Sequence, residues 1–356
     1  MKFAHFSHVW NKAGMTAAQR YDELWRELEL CDELSFDYAF AVEHHFRPHE
    51  SWMPSPAAFC AAAAAHTKRL RIGPMGYLVP VYDPLRILEE TAVLDNILGG
   101  RLELGLVSGV LQEYFPPYKA DFENRSALTN EMLAIIKTAF ASDAPFSFEG
   151  RFHQYDNVQL NVRPLQKPHP PLWIESRTPA TLELLAREGV HTGYTFFSHR
   201  PEVVPAYETY LDQWQQAGHK GKPNISYWAL VYVDETDEIA VEKVRPHIRH
   251  TFTKVFFANE GDLERAAKRR EERGEIAGAE IARHLPDSDY LIERNLAFVG
   301  SPSTVARNIR RAAEEGLINT MLCEFNFGTL SASDLERSIR LFGTEVLPAL
   351  RSFEPF

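Results

Sequence analysis

Residues 84–109 read PLRILEETAVLDNILGGRLELGLVSG, and this stretch decides the fold. Pro84 suits the first turn of a helix, where a missing N–H costs nothing, and the apolar spacing carries that helix to Ile97. Gly99-Gly100 stops it. Leu102 to Val107 follows as a short apolar strand. Ser108-Gly109 then closes the strand in a small corner that lets backbone approach a flat or phosphorylated ligand.

The same rhythm extends in both directions. Before it come a strand at about Lys2 to Ser7, a helix around Ala17 to Leu34, a strand at Tyr38 to Val42, a helix at Pro56 to His66 and a strand at Leu70 to Val79. Beyond it lie a helix at Arg125 to Phe140 and a hairpin at Phe146 to Tyr155 that turns at Glu149-Gly150. Strands follow at Leu172 to Ile174, His191 to Thr195, Ile225 to Val233 and Asn319 to Phe325. Helices are expected at Ala180 to Glu188, Val203 to Gln216, from about Glu238, at Ser303 to Glu315 and at Asp334 to Leu350. Eight strands with their helices predict an α/β fold, a single (β/α)8 TIM barrel spanning 1–356, with its active site at the C-terminal strand ends. An open doubly wound sheet is the alternative, but Gly99, Gly100, Gly105 and Gly109 do not have dinucleotide-fingerprint spacing. Asn259 to Arg294 is strongly charged with little apolar periodicity and reads as an inserted, mobile lid segment.

Composition narrows the function. Acidic residues number 49 against 38 basic, a net charge of −11, so the molecule repels phosphate backbones and anionic lipid and suits neither a general nucleic-acid binder nor a membrane protein. Cys31, Cys60 and Cys323 lie far apart, which argues against a disulfide framework or a thiolate zinc site and fits a reducing compartment. The opening Met1-Lys2-Phe3-Ala4-His5-Phe6 lacks the apolar core of a signal peptide, so a cytoplasmic location is expected.

The densest polar cluster is Glu43-His44-His45-Phe46, directly after a strand end. One histidine there could merely cap a loop, but two after a carboxylate favour proton transfer near neutral pH. His5, His8, His44, His45 and His49 also raise the question of a metal. A shared strand face needs spacing i, i+2, and His5 and His8 are three apart, so they face opposite ways and no metal is expected. Glu175-Ser176-Arg177-Thr178-Pro179 gathers hydroxyls, a guanidinium and free N–H groups where a helix opens, which suits either a phosphate or an ordinary N-cap. Trp10, Tyr77, Tyr114, Phe115, Tyr118, Tyr194, Phe196 and Phe197 fall at or just after strand ends and suggest an aromatic-lined pocket.

Taken together, these residues resemble the bacterial luciferase-like family of flavin-dependent monooxygenases. The resemblance rests on Met1-Lys2-Phe3, Phe36-Asp37, Glu43-His44-His45-Phe46, Leu85-Arg86 with Leu88-Glu89, and Leu94-Asp95. It continues through Gly99-Gly100-Arg101-Leu102-Glu103-Leu104-Gly105, Arg163-Pro164-Leu165-Gln166-Lys167-Pro168 and Phe298-Val299-Gly300-Ser301-Pro302. It implies a barrel, usually dimeric, that takes reduced FMN from a separate NAD(P)H:flavin reductase, reacts it with O2 through a flavin hydroperoxide and oxygenates a small organic substrate. By similarity His44 is the acid-base residue. Phe6, Met75, Gly76 and Val107 line the flavin ring, with a cis peptide at Met75-Gly76, and Glu175, Ser176 and Thr178 form the ring and phosphate corner. His8, Trp10, Tyr77, Tyr114, Tyr194 and Phe196 are the expected substrate pocket. Ser108 stands where the family commonly has arginine, and Asn124-Arg125-Ser126 is displaced by one, so the phosphate grip is expected from Arg125, Arg177 and backbone amides. Val107 replaces the cysteine beside the flavin in luciferase, and light emission is not implied. An F420-dependent oxidoreductase of the same barrel family and a non-catalytic flavin-binding protein are the alternatives.

Overall fold

Strand Lys2–Ser7 joins the two ends of the chain: it pairs in parallel with Tyr38–Ala41 on one side and with Thr320–Glu324 on the other. The computed structural model describes residues 1–257 and 260–356. From Tyr38–Ala41 the parallel pairing passes to Arg71–Pro74. An Ile72–Leu102 bridge and the pairing of Tyr77–Leu78 carry it to Leu104–Val107, and thence to Leu172–Trp173. A Trp173–His191 bridge leads to Thr192–Thr195, which pairs with Ile225–Val233, itself paired with Thr320–Glu324. The result is a curled parallel sheet wrapped by helices. Both faces of its strands are covered, so Ile225–Val233 is buried along its whole length and reads as a continuous apolar run.

Local chemistry sets the helix limits. Thr16 caps Ala17–Glu33 in a reciprocal capping box with Gln19. Asp83 accepts from the Leu85 N–H at the head of Pro84–Ile97, and that helix ends before Gly99 and Gly100, both at positive φ. Arg71–Pro74 and Leu104–Val107 approach so closely that a Cβ on Gly105 would lie 2.2 Å from the Pro74 carbonyl oxygen. The Met75–Gly76 peptide is cis, as the family resemblance implied.

One reading needs correction. Ala297–Gly300 is a further parallel strand, paired with Leu230 to Val233 of Ile225–Val233. Its four residues directly follow a charged stretch, which masks them as an element. The insertion, whose first residue Asn259 lies outside the described residues, folds as helices Glu260–Glu271, Ile276–Arg283 and Ser288–Glu293. Ala267, Ala279 and Ala282 form a buried contact between the first two. Apolar periodicity is weak there because close helix packing through alanine needs little apolar bulk. Among the described residues no helix is long and apolar enough to cross a membrane.

Candidate active site

The period-2 alternation of the first strand sends neighbouring histidines in different directions. His5 turns outward, its Nε2 2.7 Å from Glu27 on the first helix. Phe6 and His8 join the group at the C-terminal strand ends. His8 stacks on Trp10 with ring centroids 4.0 Å apart and 5° between the planes, and lies 4.5 Å from the Trp228 ring and 5.3 Å from Phe6. His44 meets His8 edge-to-face at 5.5 Å. The pair comes from two different strand ends, and both imidazoles stand in one aromatic enclosure.

The loop after Tyr38–Ala41 is built to hold His44. The buried Glu43 carboxylate takes three partners: the Leu78 N–H at 2.7 Å, the Tyr82 hydroxyl at 2.8 Å and His45 Nε2 at 2.7 Å. These contacts tie the loop to the third strand and commit His45 to structure. The His44 N–H donates to the Met53 carbonyl, and His44 Nδ1 lies 3.1 Å from Glu50 Oε1. Arg47 Nε meets the other Glu50 oxygen at 2.7 Å. Burial alone would raise the Glu50 carboxyl, but His44 and Arg47 outweigh it and hold the group below its ordinary value. Arg47 also donates to the Phe256 carbonyl at 2.8 Å, linking the histidine loop to the aromatic residues that cover the mouth.

That cover comes from a π-helical turn, Thr251–Val255, and the residues after it. Phe256 packs on Trp10 at 5.8 Å and on Phe197 at 5.6 Å, while Phe196 packs on Trp228 at 5.0 Å. The indole N–H groups of Trp10 and Trp228 are buried with no hydrogen-bond partner among the described residues, an arrangement that costs free energy unless a ligand supplies an acceptor.

The remaining expected residues divide into groups. Tyr114 joins the histidines, 6.0 Å from the His44 ring. With Leu78 and Phe115 it also forms a small cluster that receives Val107 and Phe122. Arg125 stacks on that Phe122 at 3.9 Å and donates to its carbonyl, and Ser108 is half-buried beside Val107. Met75 is buried and its N–H donates to the Ala41 carbonyl, at the foot of the histidine loop. Two tyrosines are placed apart from the group. The Tyr77 hydroxyl donates to Glu90 on the helix Pro84–Ile97, and the Tyr194 hydroxyl donates to the Gly316 carbonyl at 2.6 Å. Both are buried against the helical layer.

At the fifth strand end Thr178 stands at the N-cap of Pro179–Glu188 without a side-chain capping bond, and its own N–H donates to Ser176 Oγ. Arg177 lies 3.3 Å from Glu275 of the insertion, which Arg270 and Arg273 also engage. Three guanidiniums around one carboxylate leave the corner cationic. Glu175 has one long contact, 3.4 Å to Ser226 Oγ, and desolvation pushes its carboxyl up to about 7. Unpartnered buried donors, flat aromatic walls and a cationic corner match a conjugated ring that carries carbonyl oxygens and an anionic tail. Trp228, Glu50, Phe256 and Glu324 went unnoticed in the sequence: Trp228 and Glu324 sit within runs that read as core, and Glu50 and Phe256 follow elements with no motif.

Residues 1–319 match the family described as luciferase-like monooxygenase. The oxygenase component of the flavin-dependent trigonelline monooxygenase of Acinetobacter baylyi is 26% identical over 271 residues, which is 74% of this chain and 74% of that protein. The structure of the monooxygenase RslO1 from Streptomyces bottropensis has a TM-score of 0.81 at 27% identity, covering 98% of this chain and 99% of that one. The oxygenating constituent of 3,6-diketocamphane monooxygenase from Pseudomonas putida, solved with FMN, has a TM-score of 0.77 at 21% identity, covering 98% of both chains.

Proposed function

The chain belongs to the luciferase-like monooxygenase family, and on that premise we propose that it is the oxygenase component of a two-component, reduced-FMN- and O2-dependent system acting on a small organic substrate. A separate NAD(P)H:flavin reductase supplies the cofactor. We read the succession of parallel pairings as a closed (β/α)8 barrel, the helical insertion as its lid, and the protein as a cytoplasmic homodimer. The observation that carries the reading is the meeting of His8 and His44, 5.5 Å apart, inside an aromatic enclosure at the strand ends.

Phe6, Met75, Gly76 and Val107 are the residues that would hold the flat ring. Glu175, Ser176, Thr178, Arg177 and Arg125 would hold its phosphate-bearing tail. Reduced FMN, when bound, supplies the electrons that activate O2. His44 is the acid-base group: Glu50 fixes its Nδ1 side and leaves Nε2 to exchange a proton with the reacting centre. The aromatic residues exclude water, and the indole N–H groups of Trp10 and Trp228 orient an acceptor-bearing substrate.

The test is an anaerobic titration of the purified chain with reduced FMN and, separately, with reduced F420, followed by O2 admission in the presence of a flavin reductase. Saturable binding of reduced FMN is expected, with reoxidation of the bound flavin by O2 distinct from that of free reduced FMN and changed at least tenfold in His44→Ala. Binding of F420 with no binding of FMN would replace this reading by the hydride-transfer one. Flavin binding with no response to His44→Ala would leave a non-catalytic flavin carrier.

A further inference from the structure

Glu324 ends the strand Thr320–Glu324, fully buried, on the far side of the first strand from His44. Its two oxygens have different partners. Oε1 accepts the His8 backbone N–H at 3.1 Å, and Oε2 lies 2.5 Å from His8 Nδ1. One oxygen therefore works as an acceptor, and the other faces a ring nitrogen that accepts a proton or gives one.

Every charged group around the pair is already committed. On the helix side, Glu27 takes Arg20 at 3.0 Å, His5 at 2.7 Å and Asn326 at 2.5 Å. On the mouth side, Glu50 is held by Arg47 at 2.7 Å and by His44 at 3.1 Å. Among the described residues the cations nearest Glu324, His5 and Arg20, are bound to Glu27 and lower the Glu324 carboxyl less than burial raises it, which leaves His8 as its direct partner. An imidazolium at His8 would be buried, with His44 beside it. Burial pushes the Glu324 carboxyl up to about 8, and burial followed by the proximity of His44 pushes His8 well below its ordinary value. Both directions favour the neutral pair.

We propose that Glu324 donates a hydrogen bond from its carboxyl O–H to Nδ1 of His8, and so holds that imidazole as a neutral ring whose Nε2–H is a fixed donor at the strand mouth. The ring cannot turn: Trp10 covers one face at 4.0 Å and Trp228 crowds it at 4.5 Å. Nε2 has no hydrogen bond to any described residue. The two histidines then divide the work, His44 exchanging protons and His8 presenting a constant N–H to an uncharged acceptor oxygen of the bound substrate. That last assignment rests on the oxygenase reading, whereas the tautomer does not. Glu324 is thus a positioning residue that acts through His8.

The experiment uses the full chain labelled with 15N-histidine, without cofactor. Two-bond nitrogen–proton correlations at pH 7 should show His8, assigned by its loss in His8→Phe, as the neutral Nε2–H tautomer. Glu324→Gln, whose amide N–H can still donate to Nδ1, should keep that pattern, and Glu324→Leu should lose it. Raising the pH through 8 should perturb the His8 signals in the wild type and leave them unmoved in Glu324→Gln. A doubly protonated His8 at pH 7, or an Nδ1–H tautomer, overturns the proposal, as does a pH response near 8 that persists in Glu324→Gln. Should reduced FMN fail to bind while the tautomer is as stated, the oxygenase reading falls and the positioning role stands.

Discussion

Replacing Glu27 by Gln tests how much of the fold's stability sits in the charged layer between the first strand and the first helix. The Glu27 side chain is almost wholly buried and touches Arg20, His5 and Asn326. Burial by itself would raise its carboxyl, but Arg20, His5 and Asn326 outweigh that effect and bring it from 4.5 down to about 2. A depression of that size corresponds to about 3 kcal/mol of stability. The folded value lies below the unfolded one, so the contribution is complete above pH 4.5 and drains away as pH falls toward 2. At pH 3 roughly 1.5 kcal/mol should remain. Urea unfolding of wild type and Glu27→Gln at pH 7 and pH 3 reads this directly as the difference between the two chains. The gap should be about 3 kcal/mol at pH 7 and should shrink by about half at pH 3. A gap that is the same at both values would mean that the cost comes from shape or from the stranded Arg20 guanidinium, and the reasoning about Glu27 ionisation would be wrong.

Glu175→Gln should behave in the opposite sense. Its carboxyl is pushed up to about 7, so ionisation is a cost that grows as pH rises from 4.5 to 7, and the variant should gain up to about 3 kcal/mol on wild type by pH 8, seen as a thermal midpoint gap absent at pH 4. Arg47→Met removes both the bond to the Phe256 carbonyl and the ion pair to Glu50, so hydrogen exchange across residues 251–257 should quicken at least tenfold while the strand amides keep their protection. Gly105→Ala would press a Cβ to 2.2 Å from the Pro74 carbonyl oxygen, whereas Gly99→Ala meets nothing within 4 Å and is strained only by its φ of +61°. The first should cost about 3 kcal/mol or more and the second about 1 kcal/mol in urea unfolding, and equal costs would remove the close strand approach as the cause.

How far the sequence carried the reading follows from where each signal is stored. Strand order was legible because both sheet faces are covered, which turns buried strands into apolar runs, and because Pro84 and Gly99-Gly100 bracket a helix by backbone geometry alone. The loop carrying His44 was legible because it starts where a strand stops. Ala297–Gly300 was not, since it directly follows the charged insertion, and the insertion hid its packing in alanines. Tyr77 and Tyr194 were expected at the mouth because they stand near strand ends. Position along a strand gives depth, but which face a side chain takes depends on its phase, and their hydroxyls reach Glu90 and Gly316 instead. Glu324 lies at the opposite limit. It is 316 residues from His8 in the chain, within a run that reads as core, and its meaning exists only in the parallel register that sets the last strand beside the first. A carboxyl placed there is buried more strongly than His5 and Arg20, both bound to Glu27, can offset, so the proton it keeps is a consequence of topology, and the donor that His8 presents is fixed by how the sheet brings the chain's two ends together.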